Sequence, residues 1–236
     1  MSHRIAIVVE SLSCSDDWLR SCFGTLDASE RARADGFADD SLRRRFIAGH
    51  GLLRAILARQ LNCAPESVMF ETGAWGKPRL AGDHCLKFNL SHSGDYMAVA
   101  LSWEYDVGID IERARPEISR EIESMAAHAF SPQISRRITA LPSSRRIAAF
   151  YRQWTRREAV LKAGGTGFSP TTLSLSTCAV TVREPALGRG WFAAVAAKGD
   201  DFEMSIQHGF GTMDFSRPGR YSPASLAARR APENHR

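Results

Sequence analysis

Apolar and polar positions along this chain alternate between short runs of period two and longer runs of helical period. Residues 4–9 form an apolar run behind Arg4 and predict a first strand. Residues 27–37 predict a helix opened by Asp27 or Ser29, with Arg33 near its middle. A longer helix is predicted over 39–61, with Leu42, Phe46, Leu53, Ile56, Leu57 and Leu61 on its apolar face and Asn62 and Pro65 ending it. A short strand over 68–71 precedes a turn-rich loop marked by Gly73, Gly76 and Pro78. Residues 86–90 and 96–102 read as strands joined through Ser91-His92-Ser93-Gly94, and 107–111 as the next strand. Helical patterns cover 117–129 and 144–163, the second stopping at Gly164-Gly165. Strand-like runs follow at 173–182, 191–197 and 202–208, and after Ser216 the chain turns to Arg, Ala, Pro and Ser, which predicts a disordered tail. Each half thus holds a strand, helical material and then several strands. That order predicts two small α+β lobes, residues 1–105 and 106–215, ahead of a basic tail over 216–236.

Charge changes this picture little. The formal net charge is +5, yet Arg217, Arg220, Arg229, Arg230 and Arg236 lie in the tail with one acid, Glu233. Of the 31 basic and 26 acidic residues, 26 and 25 remain in the body, which is close to neutral. A nucleic-acid-binding protein would carry its basic stripe on the folded body, so no nucleic-acid partner is expected. The five cysteines are scattered and include no C-x-x-C pair, which argues against a disulfide framework and a zinc site and for reduced thiols. No apolar run approaches the ~20 residues that span a bilayer, and the first apolar run is too short for a secretory segment. A cytoplasmic protein without a membrane partner is expected.

Two short segments carry the chemistry. Val107 to Glu112 reads Val-Gly-Ile-Asp-Ile-Glu; on a strand this points Asp110 and Glu112 to the same side. Trp154 to Lys162 reads Trp-Thr-Arg-Arg-Glu-Ala-Val-Leu-Lys, with Ile147, Phe150, Tyr151, Trp154 and Leu161 as one apolar stripe. Glu158 falls on that stripe one turn after Trp154, and Lys162 one turn further on. A carboxylate turned toward a core needs compensation. Asp110, Glu112 and Glu158 converging beside Lys162 would make a hard-cation site of oxygen ligands, suited to Mg²⁺ with water and substrate phosphate completing its shell. Alone, Glu158 and Lys162 would read as a surface pair; the upstream acids and Trp154 favour the site.

Four segments stand in order: Trp75-Gly-Lys-Pro, Phe88-Asn-Leu-Ser-His-Ser-Gly94, Val107 to Glu112 and Trp154 to Lys162. Together they resemble the 4′-phosphopantetheinyl transferases of the surfactin-synthetase-activating type, over roughly residues 1–210. The resemblance implies an α+β fold of two similar lobes related by pseudo-twofold symmetry, working as a monomer. It implies coenzyme A bound between the lobes and transfer of its phosphopantetheine arm to a serine of an apo acyl or peptidyl carrier protein, with adenosine 3′,5′-bisphosphate released. By the same resemblance Asp110, Glu112 and Glu158 hold Mg²⁺, Glu158 takes the serine proton, and Lys162 neutralises the leaving phosphate. Lys77, Ser91 and His92 match positions that contact coenzyme A phosphates, and Arg45, helped by Arg33, matches the grip on the adenosine end. Arg157 stands where the family usually has lysine, and Glu30 where a basic residue is common. Arg136, Arg137, Arg145, Arg146, Arg152 and Arg156 suggest a docking surface for an acidic carrier. The competing reading is a homologue that recognises carrier domains without modifying them; loss of a metal ligand would favour it, and all three acids are present.

Overall fold

The first apolar run becomes β1 (His3–Ser11), a strand buried on both faces. β5 (Tyr96–Ser102) pairs with it antiparallel and carries β4 (Lys87–Ser93) on its far side. On the other edge β9 (Phe202–His208) pairs with β1 in parallel, giving a mixed sheet ordered β4-β5-β1-β9. A second, antiparallel sheet is built from β6 (Val107–Arg113), β7 (Val180–Arg183) and β8 (Trp191–Lys198) in the order β6-β8-β7. β2 (Phe70–Thr72) and β3 (Pro78–Leu80) form a separate hairpin. The computed structural model describes residues 3–73, 76–165, 180–199 and 201–208. Trp75, the first part of the strand expected over 173–182 and the tail from Ser216 lie outside the described residues.

Side-chain period two explains the layering. Ala6 and Val8 of β1 face one core with Met97, Val99 and Leu101 of β5, under the helix α3 (Asp40–Leu61). Ile5, Ile7 and Val9 face the opposite way and meet Val107, Ile109 and Ile111 of β6 and Val195 of β8 in the core between the sheets. Outside the second sheet lies α6 (Ser143–Gly164), whose Ala159 and Ala163 pack on Ala194 and Ala196. A Cβ at Gly108 would collide with the backbone of Ala159 and Ala163, so glycine is what lets α6 lie directly on β6. The result is helix, sheet, sheet, helix, an α+β fold in which each sheet is backed by one 22-residue helix.

The remaining helices are α1 (Asp16–Thr25), α2 (Ala28–Asp35), α4 (Ile122–Ala129) and α5 (Pro132–Thr139). Asp27, rather than Ser29, caps α2, and Glu30 completes its capping box by accepting from the Asp27 amide. Asn62 ends α3 in the left-handed region (φ 53°), as expected for the residue that stops a helix. The pattern over 117–129 splits into a 3-10 turn at Pro116–Arg120 and α4, and α1, α5 and β3 went unforeseen.

Where the two sheets touch, side chains replace a backbone ladder. Asn89, Ser91 and Ser93 sit at alternate positions of β4 and accept from the amides of Ile109 (2.8 Å), Ile111 (3.3 Å) and Arg113 (3.1 Å) of β6. The turn expected at Ser91-His92-Ser93-Gly94 therefore begins three residues later than the pattern implied, at Gly94, because Ser91 to Ser93 continue β4 to meet β6. The strand β9, expected in the second lobe, belongs to the first sheet.

Candidate active site

β6 delivers Asp110 and Glu112, and α6 delivers Glu158 and Lys162, to one region between the sheets and α6. Asp110 is 4% exposed and Glu158 6%, so both carboxylates are drawn from water. Asp110 Oδ1 accepts from Ser91 Oγ (2.9 Å) and Lys162 Nζ (2.7 Å), and Lys162 Nζ also donates to Ser91 Oγ (3.1 Å). Glu112 Oε2 accepts from Ser93 Oγ (2.9 Å). The other oxygen of Asp110, Oδ2, and Oε1 of Glu158 make no hydrogen bond although both are buried.

The electrostatics follow. Burial pushes all three carboxyls above the usual carboxylate range. For Asp110 the Lys162 ammonium pulls back against that rise; for Glu158 and Glu112 the charge of Asp110 adds to it. Among the described residues no three His, Cys, Asp or Glu side chains are arranged as a metal centre. The tight convergence anticipated from the sequence is absent, with Lys162 engaging Asp110 instead. Two orphaned carboxylate oxygens in an acidic, oxygen-only donor set still fit a hard divalent cation, because bound charge would relieve what burial leaves uncompensated.

Beside this cluster runs a cleft of about 710 Å³ between α3 and β4, with Glu112 in its wall. Leu12, Leu53, Leu90 and Met97 make one side apolar; Arg33, Arg45, His50, His92, Arg113 and Arg115 supply positive or protonatable groups. Such a mixture suits an anion carrying an apolar or aromatic portion. Alternation along β4 explains the division of labour: Ser91 turns toward Asp110 while His92 opens on the cleft. Burial, then the Lys162 charge, lowers the His92 pKa and favours its neutral form.

The expected site residues thus separate. Asp110, Ser91 and Lys162 are brought together directly, and Glu158 and Glu112 lie near enough to feel their charge. Arg33 and Arg45 line the cleft, Arg33 lying over the Phe46 ring (5.1 Å) and Arg45 ion-paired with Asp95 (2.7 Å). Ser91 is engaged as a strut of the acid cluster. Lys77 is outside the cleft; its ammonium donates to the carbonyls of Val107 and Lys162, and burial lowers its pKa to about 8.

Three cleft residues were missed by sequence reasoning. Phe46, read as core, is half-buried in the cleft wall. His50, for which no partner was visible, stacks near Phe46 (4.1 Å between centroids) and bonds Glu30 through Nδ1 (2.8 Å). Arg115 follows the second acid by three residues, and only the position of β6 at the cleft reveals it. The available signal for His50 was its place one turn after Phe46 on α3.

Comparisons with known proteins point to one family. The model of the 4′-phosphopantetheinyl transferase superfamily matches residues 106–207, and that of the 4′-phosphopantetheinyl transferase N-terminal region matches residues 13–104. The 4′-phosphopantetheinyl transferase HetI of Nostoc sp. is 38% identical over 171 residues, covering 71% of this chain and 70% of that protein. AcpT of Salmonella typhi, also named a 4′-phosphopantetheinyl transferase, is 39% identical over 58% of this chain and 71% of its own length. The psf-1 transferase of Bacillus pumilus is 34% identical over 59% of this chain and 58% of its own.

Proposed function

The chain belongs to the 4′-phosphopantetheinyl transferase superfamily, and from that premise we propose how its residues act. The protein is a transferase that moves the phosphopantetheine arm of coenzyme A to apo carrier proteins. In our reading the nucleotide end of coenzyme A occupies the cleft, its phosphates facing Arg33, Arg45 and His92 and its adenosine against Phe46 and the apolar wall. Mg²⁺, held by Asp110, Glu112 and Glu158, would neutralise charge on the pyrophosphate when bound. The observation that carries this is the pair of buried, unbonded oxygens on Asp110 and Glu158.

The carrier serine Oγ forms a bond to the phosphorus bearing the pantetheine arm, and the P–O bond to adenosine 3′,5′-bisphosphate breaks. Glu158 takes the serine proton; a carboxyl raised by burial and by Asp110 is a better base than an ordinary one. Lys162 is held by Asp110 and Ser91 where it can offset charge growing on the leaving phosphate. Exposed Arg136, Arg137, Arg145 and Arg152 on α5 and α6 would steer an acidic carrier, whereas Arg146 and Arg156 are ion-paired with Glu123 and Glu184. No helix among the described residues is long and apolar enough to cross a membrane. We further read the protein as a cytoplasmic monomer of two lobes, 1–105 and 106–215, without a nucleic-acid partner.

Intact-mass spectrometry of an apo carrier incubated with the protein, coenzyme A and Mg²⁺ tests this. A gain of one phosphopantetheine arm, lost with chelator and with Glu158→Gln, is the expected result. No gain on any of several carriers, despite coenzyme A binding, would sink the reading and leave a carrier-binding module.

A further inference from the structure

Lys77 departs from the other residues expected to hold coenzyme A. It does not line the cleft with Arg33, Arg45 and His92; it borders a smaller polar recess with Asp106, Gly164 and Gly165, at the end of α6. Its ammonium donates to Val107 O (3.0 Å), the first carbonyl of β6, and to Lys162 O (2.8 Å), in the last turn of α6. We propose that Lys77 is a positioning residue for Lys162: its ammonium ties the end of α6 to the start of β6.

The local geometry explains why such a tie matters. Gly108 lets α6 press onto β6 and fixes how near the helix can come, but that contact alone does not stop the helix sliding or turning along the strand. Lys77 supplies the missing constraint, one residue before Gly108 on β6 and at the very residue of α6 whose side chain enters the site. The last carbonyls of a helix carry the negative end of its dipole, and a cation there is favourable. Lys162 O accepts from Lys77 as well as from the capping amide of Gly165 (3.3 Å), so its backbone is held from two directions. Lys162 has a flexible four-carbon stem, and an anchored backbone limits where its ammonium can go to the neighbourhood of Asp110 and Ser91. Asp106, just before β6, moderates the effect of burial on the Lys77 charge. The inference rests on the transferase reading only for the part Lys162 plays in the reaction.

Lys77→Met keeps the stem and removes the donors. In the full-length protein it should lower kcat by about tenfold or more, while KM for coenzyme A and Kd for adenosine 3′,5′-bisphosphate stay within about twofold. A tenfold weaker Kd with kcat retained would overturn the proposal and make Lys77 a phosphate ligand. Should Lys77→Met fail to fold, reductive methylation of the wild-type protein decides. A Lys77 held between carbonyls is modified slowly and equally with or without adenosine 3′,5′-bisphosphate; protection that appears only with the nucleotide overturns the proposal. Absence of transfer by the wild type to any carrier would fell the transferase reading, and the labelling would still report where the Lys77 ammonium lies.

Discussion

The protein contains two buried clusters of acids and bases that look alike in the sequence and behave in opposite ways. In the first, Arg54 is fully buried and donates to Glu30 (2.7 Å), to Asp27 (2.9 Å) and to the carbonyls of Val68 and Pro65. Glu30, 8% exposed, also accepts from the Asp27 amide and bonds His50. In the second, Asp110 and Glu158 are as deeply buried, yet each keeps an oxygen without a hydrogen bond. Burial raises every one of these carboxyls. Around Glu30 and Asp27 that rise is outweighed, by the His50 and Arg54 contacts for Glu30 and by amides, Ser29 and Arg54 for Asp27, and both end below the usual range. Around Asp110, Glu112 and Glu158 burial prevails and they end above it. Depth alone therefore does not distinguish structural charge from chemical charge. Completeness of the hydrogen bonding does, and an incomplete cluster is one prepared for a ligand.

Substitutions in both clusters can break this contrast. The largest expected effect is on turnover: Glu158→Gln should reduce the transfer rate by about 10²- to 10⁴-fold in the mass assay while leaving the melting temperature equal or higher. Arg54→Met should do the reverse. Leaving the buried Glu30 and the half-buried Asp27 without Arg54 should cost about 3–5 kcal/mol in urea unfolding, with coenzyme A turnover per folded molecule retained. Equal losses of stability in the two variants would erase the distinction.

A smaller and sharper difference lies in pH. The raised carboxyl of Asp110 weighs against the fold as pH rises through its native pKa, so Asp110→Asn should be more stable than wild type at about pH 7. That advantage should shrink as pH falls through the native pKa of Asp110, below which it is protonated in the wild type as well. Glu30 contributes stability above its unfolded pKa that is lost as pH falls through the native one. Glu30→Gln should therefore be less stable than wild type at about pH 7, and its deficit should close in acid. Thermal melts in chelator across this range measure both; gaps of the same sign would contradict the assignment. The smallest effect belongs to neither cluster: Arg145→Glu should slow carrier modification by about two- to fivefold at low salt and by less at high salt, since exposed charge acts mainly on encounter.

What could be read from the residues was local. The two-residue spacing of Asp110 and Glu112 in a mostly apolar run placed both on one side of a strand, and Trp154, Glu158 and Lys162 fell on one helical face. The ends of α2 and α3 followed from Asp27, Asp39 and Asn62, because caps are made by neighbours in the chain. What could not be read depends on distant partners. Ser91 and His92 resembled a turn because nothing nearby shows that β6 will use Asn89, Ser91 and Ser93 as hydrogen-bond acceptors. Glu30 looked like a misplaced charge until Arg54, a full helix away, supplied its partner. The acids were legible as residue types, but the hydrogen bond that Lys162 gives Asp110 is visible only in three dimensions.

The parallel pairing of β9 with β1 bears on how the chain is made. His3 lies opposite Phe202, so β1 is completed by a strand made about 200 residues later. At about 5–20 residues per second, β1 waits roughly 10–40 s with one edge unsatisfied. During that interval the strand is a template on which another nascent chain could add itself. A chain stopped short of β9 keeps that edge permanently, which makes truncation before β9 a route to aggregation rather than to a smaller working enzyme.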